Sequence, residues 1–132
     1  MKMKKILLLI LLTFPAFICL AEETQIDSIE IIQPKITFLE LGSTTCVPCQ
    51  QMEKVLESVR EKYGNQIEVI FHDIKKEKEL VAEYQIKMIP TQVFLDREGK
   101  EIHRHIGFYP EAQIDEFLKE QGLEIIAADQ IE

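Results

Sequence analysis

The residues best suited to chemistry are the two cysteines of the segment Cys46-Val47-Pro48-Cys49, which follows an apolar run and precedes a helical pattern. Two cysteines three positions apart on the first turn of a helix project from the same face, close enough to form a disulfide. Free backbone N–H groups at a helix start stabilise negative charge, so they lower the pKa of a thiol placed there. Because the thiolate is the attacking species in disulfide exchange, this position favours redox use of the pair.

Two other uses of the cysteine pair remain open at this point. A structural disulfide here would close a loop of four residues, and the stabilisation from a disulfide grows with loop length. The cysteines could instead bind copper or zinc, with His72, His103 or His105 as further ligands. His103 and His105 alternate on one face of a predicted strand, and two solvated positions on an edge hairpin are the simpler interpretation of them.

A strand and a long helix must hold the cysteines. Residues 35–41, KITFLEL, are rich in β-branched and aromatic side chains and predict a buried strand. From Cys49 onward the apolar residues recur with helical spacing, and Gly64 supplies the end of that helix. These apolar positions are Met52, Val55, Leu56, Val59 and Tyr63.

The remaining pattern predicts three further strands and two further helices. The strands are predicted over residues 67–73, 91–96 and 101–106, the last two as a hairpin. The helices are predicted over residues 77–86 and 110–122. Their inward-facing positions are Leu80, Val81 and Tyr84 in the first helix, and Ile114, Phe117 and Leu118 in the second.

The resulting order, β–α–β–α–β–β–α, predicts an α/β fold with a central mixed sheet and helices on both faces. A strand, a helix and a strand imply parallel pairing through a right-handed crossover, and the hairpin adds antiparallel strands. We expect this domain to cover residues 35–122. Residues 22–34 are interpreted as an arm or a short edge strand, and residues 123–132 as a tail.

The first residues have the pattern of an export signal. Three lysines precede an apolar run, and Cys19-Leu20-Ala21 carries small residues at the positions that signal peptidase requires, so we expect a signal peptide over residues 1–21 with cleavage after Ala21. This predicts a periplasmic or otherwise extracytoplasmic protein. A membrane-anchored form is the alternative, either through residues 6–21, which are short for a bilayer and contain Pro15, or through a lipid on Cys19.

The charge balance narrows the range of partners. The whole chain has a formal charge of −8, and loss of the three signal-peptide lysines leaves 12 basic and 23 acidic residues, a charge of −11. Phosphate backbones and anionic lipid surfaces repel such a chain, so nucleic acid is not an expected partner.

Over residues 35–122 the chain resembles the thioredoxin family. The Cys-x-x-Cys pair follows the first core strand, and Met88-Ile89-Pro90-Thr91 precedes the third, where the family has its cis-proline. Gly107 ends the last strand before an amphipathic helix. Glu40 lies six residues before Cys46, where the family keeps a buried carboxylate. The combination is far more specific than a Cys-x-x-Cys pair alone.

The resemblance implies a thiol–disulfide oxidoreductase with a redox-active disulfide between Cys46 and Cys49, and with no cofactor and no metal. Cys46 would be the exposed nucleophile and Cys49 the resolving thiol. Glu40 would pass a proton to or from Cys49. Alternation places Glu40 on the same strand face as the apolar Phe38, which favours burial and therefore a raised pKa, whereas an orientation toward solvent is the alternative.

The resemblance also implies a substrate-binding surface formed by Val47, Pro48, Ile89, Pro90 and Gly107. Pro90 would be cis and would pack against the cysteines, while the backbone of Ile89 would pair with an extended substrate peptide. An ordinary proline at a strand start is the alternative for Pro90.

Two positions depart from the family pattern. Thr45 replaces the aromatic residue that thioredoxins usually carry before the first cysteine, and Phe71 replaces the lysine near the buried acid. We expect these changes to affect partners and rates rather than the disulfide chemistry itself.

The segment Val47-Pro48 has no ionisable group and resembles the reducing thioredoxins. The sequence therefore predicts a monomeric reductant of disulfides in exported proteins, with a membrane thiol-electron transporter as donor. A disulfide-forming oxidant of the same fold is the first alternative. A copper-handling protein that uses the two cysteines, and a non-catalytic binding module, are the others.

Overall fold

The computed structural model describes residues 33–126. Its strands are β1 (Ile36–Gly42), β2 (Ile67–Asp73), β3 (Thr91–Leu95) and β4 (Glu101–Ile106), and its helices are α1 (Val47–Tyr63), α2 (Glu79–Glu83) and α3 (Glu111–Glu120). The predicted signal peptide with Cys19, the arm up to residue 32, and the tail from residue 127 lie outside the described residues.

The four strands form one mixed sheet in the order β2-β1-β3-β4. β1 pairs with β2 in parallel, from Ile36 opposite Ile67 onward. β3 pairs antiparallel with both β1 and β4. The predicted α/β fold with a central mixed sheet is confirmed.

Alternation along the strands divides the core between the two faces of the sheet. On one face α1 and α3 cover Phe38 and Phe94, whose rings stack 4.3 Å apart. On the other face a smaller cluster of Leu39, Leu41 and Val93 is covered by the region around α2. Helices therefore lie on both faces, as the sequence predicts.

The predicted helix over residues 77–86 was too long. α2 has five residues, and no residue of it is fully buried. The chain first turns at Asp73, whose carbonyl accepts hydrogen bonds from two backbone N–H groups and whose carboxylate accepts one from the Lys75 N–H. These local bonds compete with a helix and delay its start. The predicted inward residues Leu80, Val81 and Tyr84 are half-buried.

Residues 123–126 were predicted to belong to a tail, and this was wrong. Leu123 is 2% exposed and lies in the main core. The side-chain amide of Gln66 bonds both the N–H and the carbonyl of Glu124, and the N–H of Ile126 donates to the carbonyl of Lys62. The ordered domain therefore continues past Gly122.

Candidate active site

Three chain segments meet at one edge of the sheet. Leu41, near the end of β1, pairs with Thr91 at the start of β3, and Thr91 pairs with Ile106 at the end of β4. The cysteine loop that follows β1 therefore lies beside the segment before β3 and the residue after β4. This register brings the separately predicted cysteines, Pro90 and Gly107 to the same edge.

Cys46 is the N-cap residue of α1. Its sulfur accepts a hydrogen bond from the backbone N–H of Cys49 at 3.3 Å, and its carbonyl accepts one from the N–H of Gln50 at 3.0 Å. Pro48 stands in the first turn, where an N–H group would have no intrahelical partner. The first turn carries no acidic residue, so both the N–H donor and the helix dipole favour a thiolate on Cys46.

The two cysteine residues differ in their exposure to solvent. Cys46 and Cys49 are joined by a disulfide with Cα atoms 5.2 Å apart. Cys46 is half-buried, whereas Cys49 is 3% exposed. Val47 between them is 65% exposed. A partner can therefore reach Cys46 more readily than Cys49.

Gly42 permits the sulfur of Cys49 to lie against the end of β1. A Cβ on Gly42 would be 3.1 Å from the Cys49 sulfur and 3.3 Å from Cε2 of Phe71. Alternation along β1 places Gly42 and Glu40 on the same face of the sheet. The sulfur of Cys49 therefore lies on the same face of β1 as Glu40, against a residue whose Cα is about 7 Å from that of Glu40 by the usual rise.

Glu40 is completely buried, as alternation with Phe38 predicts. Its Oε2 accepts a hydrogen bond from Nε2 of Gln92 at 2.9 Å. Burial raises the pKa of Glu40 to about 7, although the Gln92 hydrogen bond opposes this shift. A carboxyl group with this pKa can hold or release a proton at neutral pH.

Gln92 was missed by the sequence analysis. It is completely buried in β3, directly opposite Glu40. The available signal was an amide within the otherwise apolar run after Pro90, on the strand that pairs with β1.

The segment before β3 turns sharply. The Ile89–Pro90 peptide bond is cis, and the Pro90 carbonyl accepts a hydrogen bond from the N–H of Gly107 at 2.8 Å. Gly107 has a φ of +93°, a conformation that favours glycine. Within residues 33–126, no backbone–backbone hydrogen bond outside the helices and strands uses Ile89.

An apolar groove lies beside the exposed end of the cysteine loop. Val47 and Phe108 line it, and Phe108 is 43% exposed. The groove has a volume of about 530 Å³ and also includes Gln50, Gln51 and Lys54. Phe108 was not among the predicted site residues, although an aromatic side chain directly after Gly107 was a visible signal.

Thr45 and Phe71, the two departures from the family pattern, both contact neighbouring residues. Thr45 Oγ1 accepts a hydrogen bond from the Lys75 ammonium group. Phe71 pairs in register with Glu40 and is 37% exposed. It forms one wall of a cavity of about 400 Å³ that also touches Cys49. An apolar ring therefore occupies the position of the family's lysine. No cationic side chain on β2 offsets the cost of burying Glu40 in its ionised form.

The three candidate histidine ligands are engaged elsewhere. His72 Nδ1 lies 2.9 Å from Oε2 of Glu77. His103 Nε2 lies 3.0 Å from the Tyr109 hydroxyl, and the ring of His105 stacks on Tyr109 at 4.0 Å. His103 and His105 lie on the edge strand of the sheet, as expected, but they are only partly solvated because both pack against the Tyr109 ring.

Within residues 33–126, no group of three or more His, Cys, Asp and Glu side chains could hold a metal ion. No helix in the same part of the chain is long and apolar enough to cross a membrane.

Comparison with known proteins points to one family. A family model described as a thioredoxin-like domain matches residues 23–122. The chloroplastic thioredoxin Y of Oryza sativa subsp. japonica is 34% identical over 91 residues, which are 69% of this chain and 53% of that protein. The thioredoxin-like protein slr0233 of Synechocystis is 35% identical over 86 residues, covering 65% of this chain and 81% of that protein. Among solved structures, the germline-specific thioredoxin Deadhead of Drosophila melanogaster has a TM-score of 0.61 and 28% identity, over 71% of this chain and 88% of that one.

Proposed function

The chain belongs to the thioredoxin-like family of thiol–disulfide oxidoreductases, and we propose that it acts outside the cytoplasm as a reductant of disulfides in exported proteins. The chemistry is supported by the position of Cys46 at the start of α1. Its sulfur accepts a hydrogen bond from a backbone N–H, and the residue is partly exposed to solvent. This arrangement stabilises the thiolate that disulfide exchange requires.

In the first step the Cys46 thiolate attacks one sulfur of a partner disulfide. The partner's S–S bond breaks, a bond forms between Cys46 and that sulfur, and the other partner sulfur leaves as a thiolate. The groove formed by Val47 and Phe108 supports this step, because it offers apolar surface beside the attacking atom. The peptide groups of Ile89 can bond an extended segment of the partner.

In the second step Cys49 attacks the Cys46 sulfur of the mixed disulfide. The second partner thiol is released, and the Cys46–Cys49 disulfide forms, so two electrons have passed to the partner. Cys49 must lose its proton first, and Glu40 on the same face of β1 accepts it, with a water molecule spanning the gap. The partner's leaving thiolates take up protons from solvent.

The residues around Cys46 favour transfer of electrons from this protein to its partner. Val47 and Pro48 cannot ionise, and no charged side chain of the first turn adds to the stabilisation of the thiolate. A less stabilised thiolate makes the reduced form a stronger reductant. The export pattern of residues 1–21 supports the compartment, and a membrane thiol-electron transporter would then supply the electrons.

The direction can be measured on the purified protein equilibrated in thiol–disulfide buffers. We expect a midpoint potential near that of the reducing thioredoxins, about −270 mV. A value above about −180 mV would instead assign the chain as a disulfide-forming oxidant.

The substrates and the compartment can be identified by trapping. A Cys49→Ser variant with its full N-terminus should accumulate mixed disulfides on Cys46 with exported, disulfide-containing proteins, because the second step is blocked. The matched control is Cys46→Ser, which keeps the buried sulfur and should capture almost nothing. Capture of cytosolic proteins alone would refute the extracytoplasmic role. Tight copper(I) binding by a protein that cannot reduce insulin would favour the metal-handling alternative.

A further inference from the structure

We propose that Gln92 is a positioning residue for proton transfer: its side-chain amide rotates between the two protonation states of Glu40, so that this carboxyl group is hydrogen-bonded whether or not it carries the proton of Cys49. The inference rests on the proposed function for the role of Cys49. The pairing of Glu40 with Gln92 is independent of it.

The geometry leaves each partner with one unused oxygen. Glu40 and Gln92 are both 0% exposed, and their single mutual bond joins Nε2 of Gln92 to Oε2 of Glu40 at 2.9 Å. Within residues 33–126, neither Oε1 of Glu40 nor Oε1 of Gln92 has a hydrogen-bond partner. Buried polar atoms without partners are rare and costly, so this pairing needs a reason.

An amide suits a carboxyl group that changes its protonation state. An ionised carboxylate only accepts hydrogen bonds, whereas a protonated carboxyl group also donates one. The observed bond from Nε2 of Gln92 to Oε2 of Glu40 is the one that suits the ionised form. After a half-turn of the amide, Oε1 of Gln92 accepts the O–H of the protonated form. The otherwise unused Gln92 oxygen is the acceptor that the second state requires.

The sheet register keeps this pair apart from most other charges. Glu40 lies opposite Gln92 on β3 and Phe71 on β2, and Gln92 lies opposite His105 on β4. The titratable groups on this face of the neighbouring elements are Cys49 from α1, Asp73 from the end of β2, His103 and His105 from β4, and Tyr109, which stacks on His105. No cation from β2 fixes Glu40 in its ionised form, because Phe71 occupies that position.

Proton exchange near neutral pH requires that neither form of Glu40 be strongly preferred. Burial alone favours the protonated form, and the Gln92 bond is the contribution that opposes it. Without this bond the pKa of Glu40 would lie higher, so fewer molecules at pH 7 would hold the ionised form that can accept the proton of Cys49. Gln92 thus acts on the second step of the exchange through Glu40, and it need not touch the partner.

The rotation can be tested by NMR on the oxidised full chain, without any activity measurement. The side-chain amide signals of Gln92 should shift with pH at the same midpoint as the Glu40 carboxyl carbon. In Glu40→Gln the Gln92 signals should stay constant over the same range. His105→Gln serves as a second background, because it removes the neighbouring imidazole ring. Gln92 signals that do not move while Glu40 titrates would overturn the proposal.

The kinetic consequence is tested with Gln92→Met, which keeps the length of the side chain and removes the amide. The midpoint of the Glu40 titration should rise by about one pH unit or more, since a hydrogen bond to the charged form is lost. Release of the mixed disulfide at pH 7 should slow about tenfold, and the loss should shrink as the pH is raised. If Gln92→Met released the mixed disulfide more slowly at every pH and left the midpoint of the Glu40 titration unchanged, the effect would be one of packing. That result would refute the positioning role of Gln92. If the wild-type chain reduces no disulfide but the NMR titrations coincide, the proposed function fails and the pairing stands.

Discussion

Gly42 and Cys49 are in contact where β1 ends, and the space above the Gly42 Cα is occupied by sulfur: a Cβ there would lie 3.1 Å from Sγ of Cys49. The same Cβ would lie 3.3 Å from the ring of Phe71. Because strand, helix and ring meet at this point, the position of the buried sulfur is set partly by the absence of a side chain.

Replacement of Gly42 by alanine should therefore disturb the buried sulfur. We expect Gly42→Ala to lower the free energy of unfolding of the oxidised protein by about 1–3 kcal/mol, the usual cost of overpacking. Urea denaturation measures the loss. Thr44→Ala, at an exposed position of the same loop, is the matched control and should change stability by less than about 0.5 kcal/mol. Equal stabilities of Gly42→Ala and wild type would show that the sulfur can move aside freely.

The raised pKa of Glu40 makes stability depend on pH. In the folded state Glu40 keeps its proton up to about pH 7, whereas its ordinary pKa is 4.5. The folded state thus binds more protons between these values, and its extra stability, complete below pH 4.5, is lost as the pH rises through 7. Glu40→Gln should remove this loss and be more stable than wild type at pH 8, by about 1–3 kcal/mol.

The measurement is the difference in unfolding free energy between wild type and Glu40→Gln at pH 5 and at pH 8. Burial lowers the pKa of His103, which acts in the opposite sense by weakening the fold as the pH falls below 6.5. His103 is present in both proteins, so its contribution cancels in the difference. A difference that does not grow with pH would mean that Glu40 titrates as it does in the unfolded chain.

The groove beside Cys46 should contribute to partner binding rather than to sulfur chemistry. Removal of the Phe108 ring takes away half-exposed apolar surface next to Val47, where we propose that the partner binds. We expect Phe108→Ala to lower kcat/KM for a disulfide-bonded protein about tenfold. The rate with a small disulfide reagent should change less than twofold. Equal losses for both substrates would place Phe108 in the support of the cysteines instead.

The segment after α3 should be as important to stability as the core of the sheet. Leu123→Ala removes a side chain that is 2% exposed, and it should cost about 2–4 kcal/mol in urea denaturation. Ile125→Ala, two residues further and 59% exposed, provides the matched control and should cost less than about 0.5 kcal/mol. Similar small costs for both variants would restore the interpretation of this segment as a tail.

The sheet and the long helices were predictable because their side-chain periodicity is strong. Residues 35–41 are rich in apolar side chains, as a strand buried on both faces requires, and Glu40 lies two positions after the buried Phe38 on the same face, so its burial followed from the sequence. The end of α1 also followed, since Gly64 adopts a φ of +50° there. In these elements local pattern and tertiary packing agree.

The sequence-based predictions failed where contacts between residues far apart in the chain determine the structure. Nothing near Leu123 in the sequence shows that Gln66 will bond the backbone of Glu124 and hold that segment on the core. The pairing of Gln92 with Glu40 requires the register between β1 and β3, which the sequence does not specify. His103 and His105 looked like solvated strand residues, because the Tyr109 ring that covers them comes from the following loop.

The unequal sizes of the two core clusters affect which part of the protein opens first when it is heated. Cys49 lies in α1, whose buried side chains belong to the large cluster, whereas the chain that leads to Ile89 runs through the small cluster around α2. Thinly packed regions open locally at lower free-energy cost than the rest of a fold. We therefore expect amide hydrogens of α2 to exchange first as temperature rises, with affinity for protein substrates declining while the enzyme still reduces small disulfides.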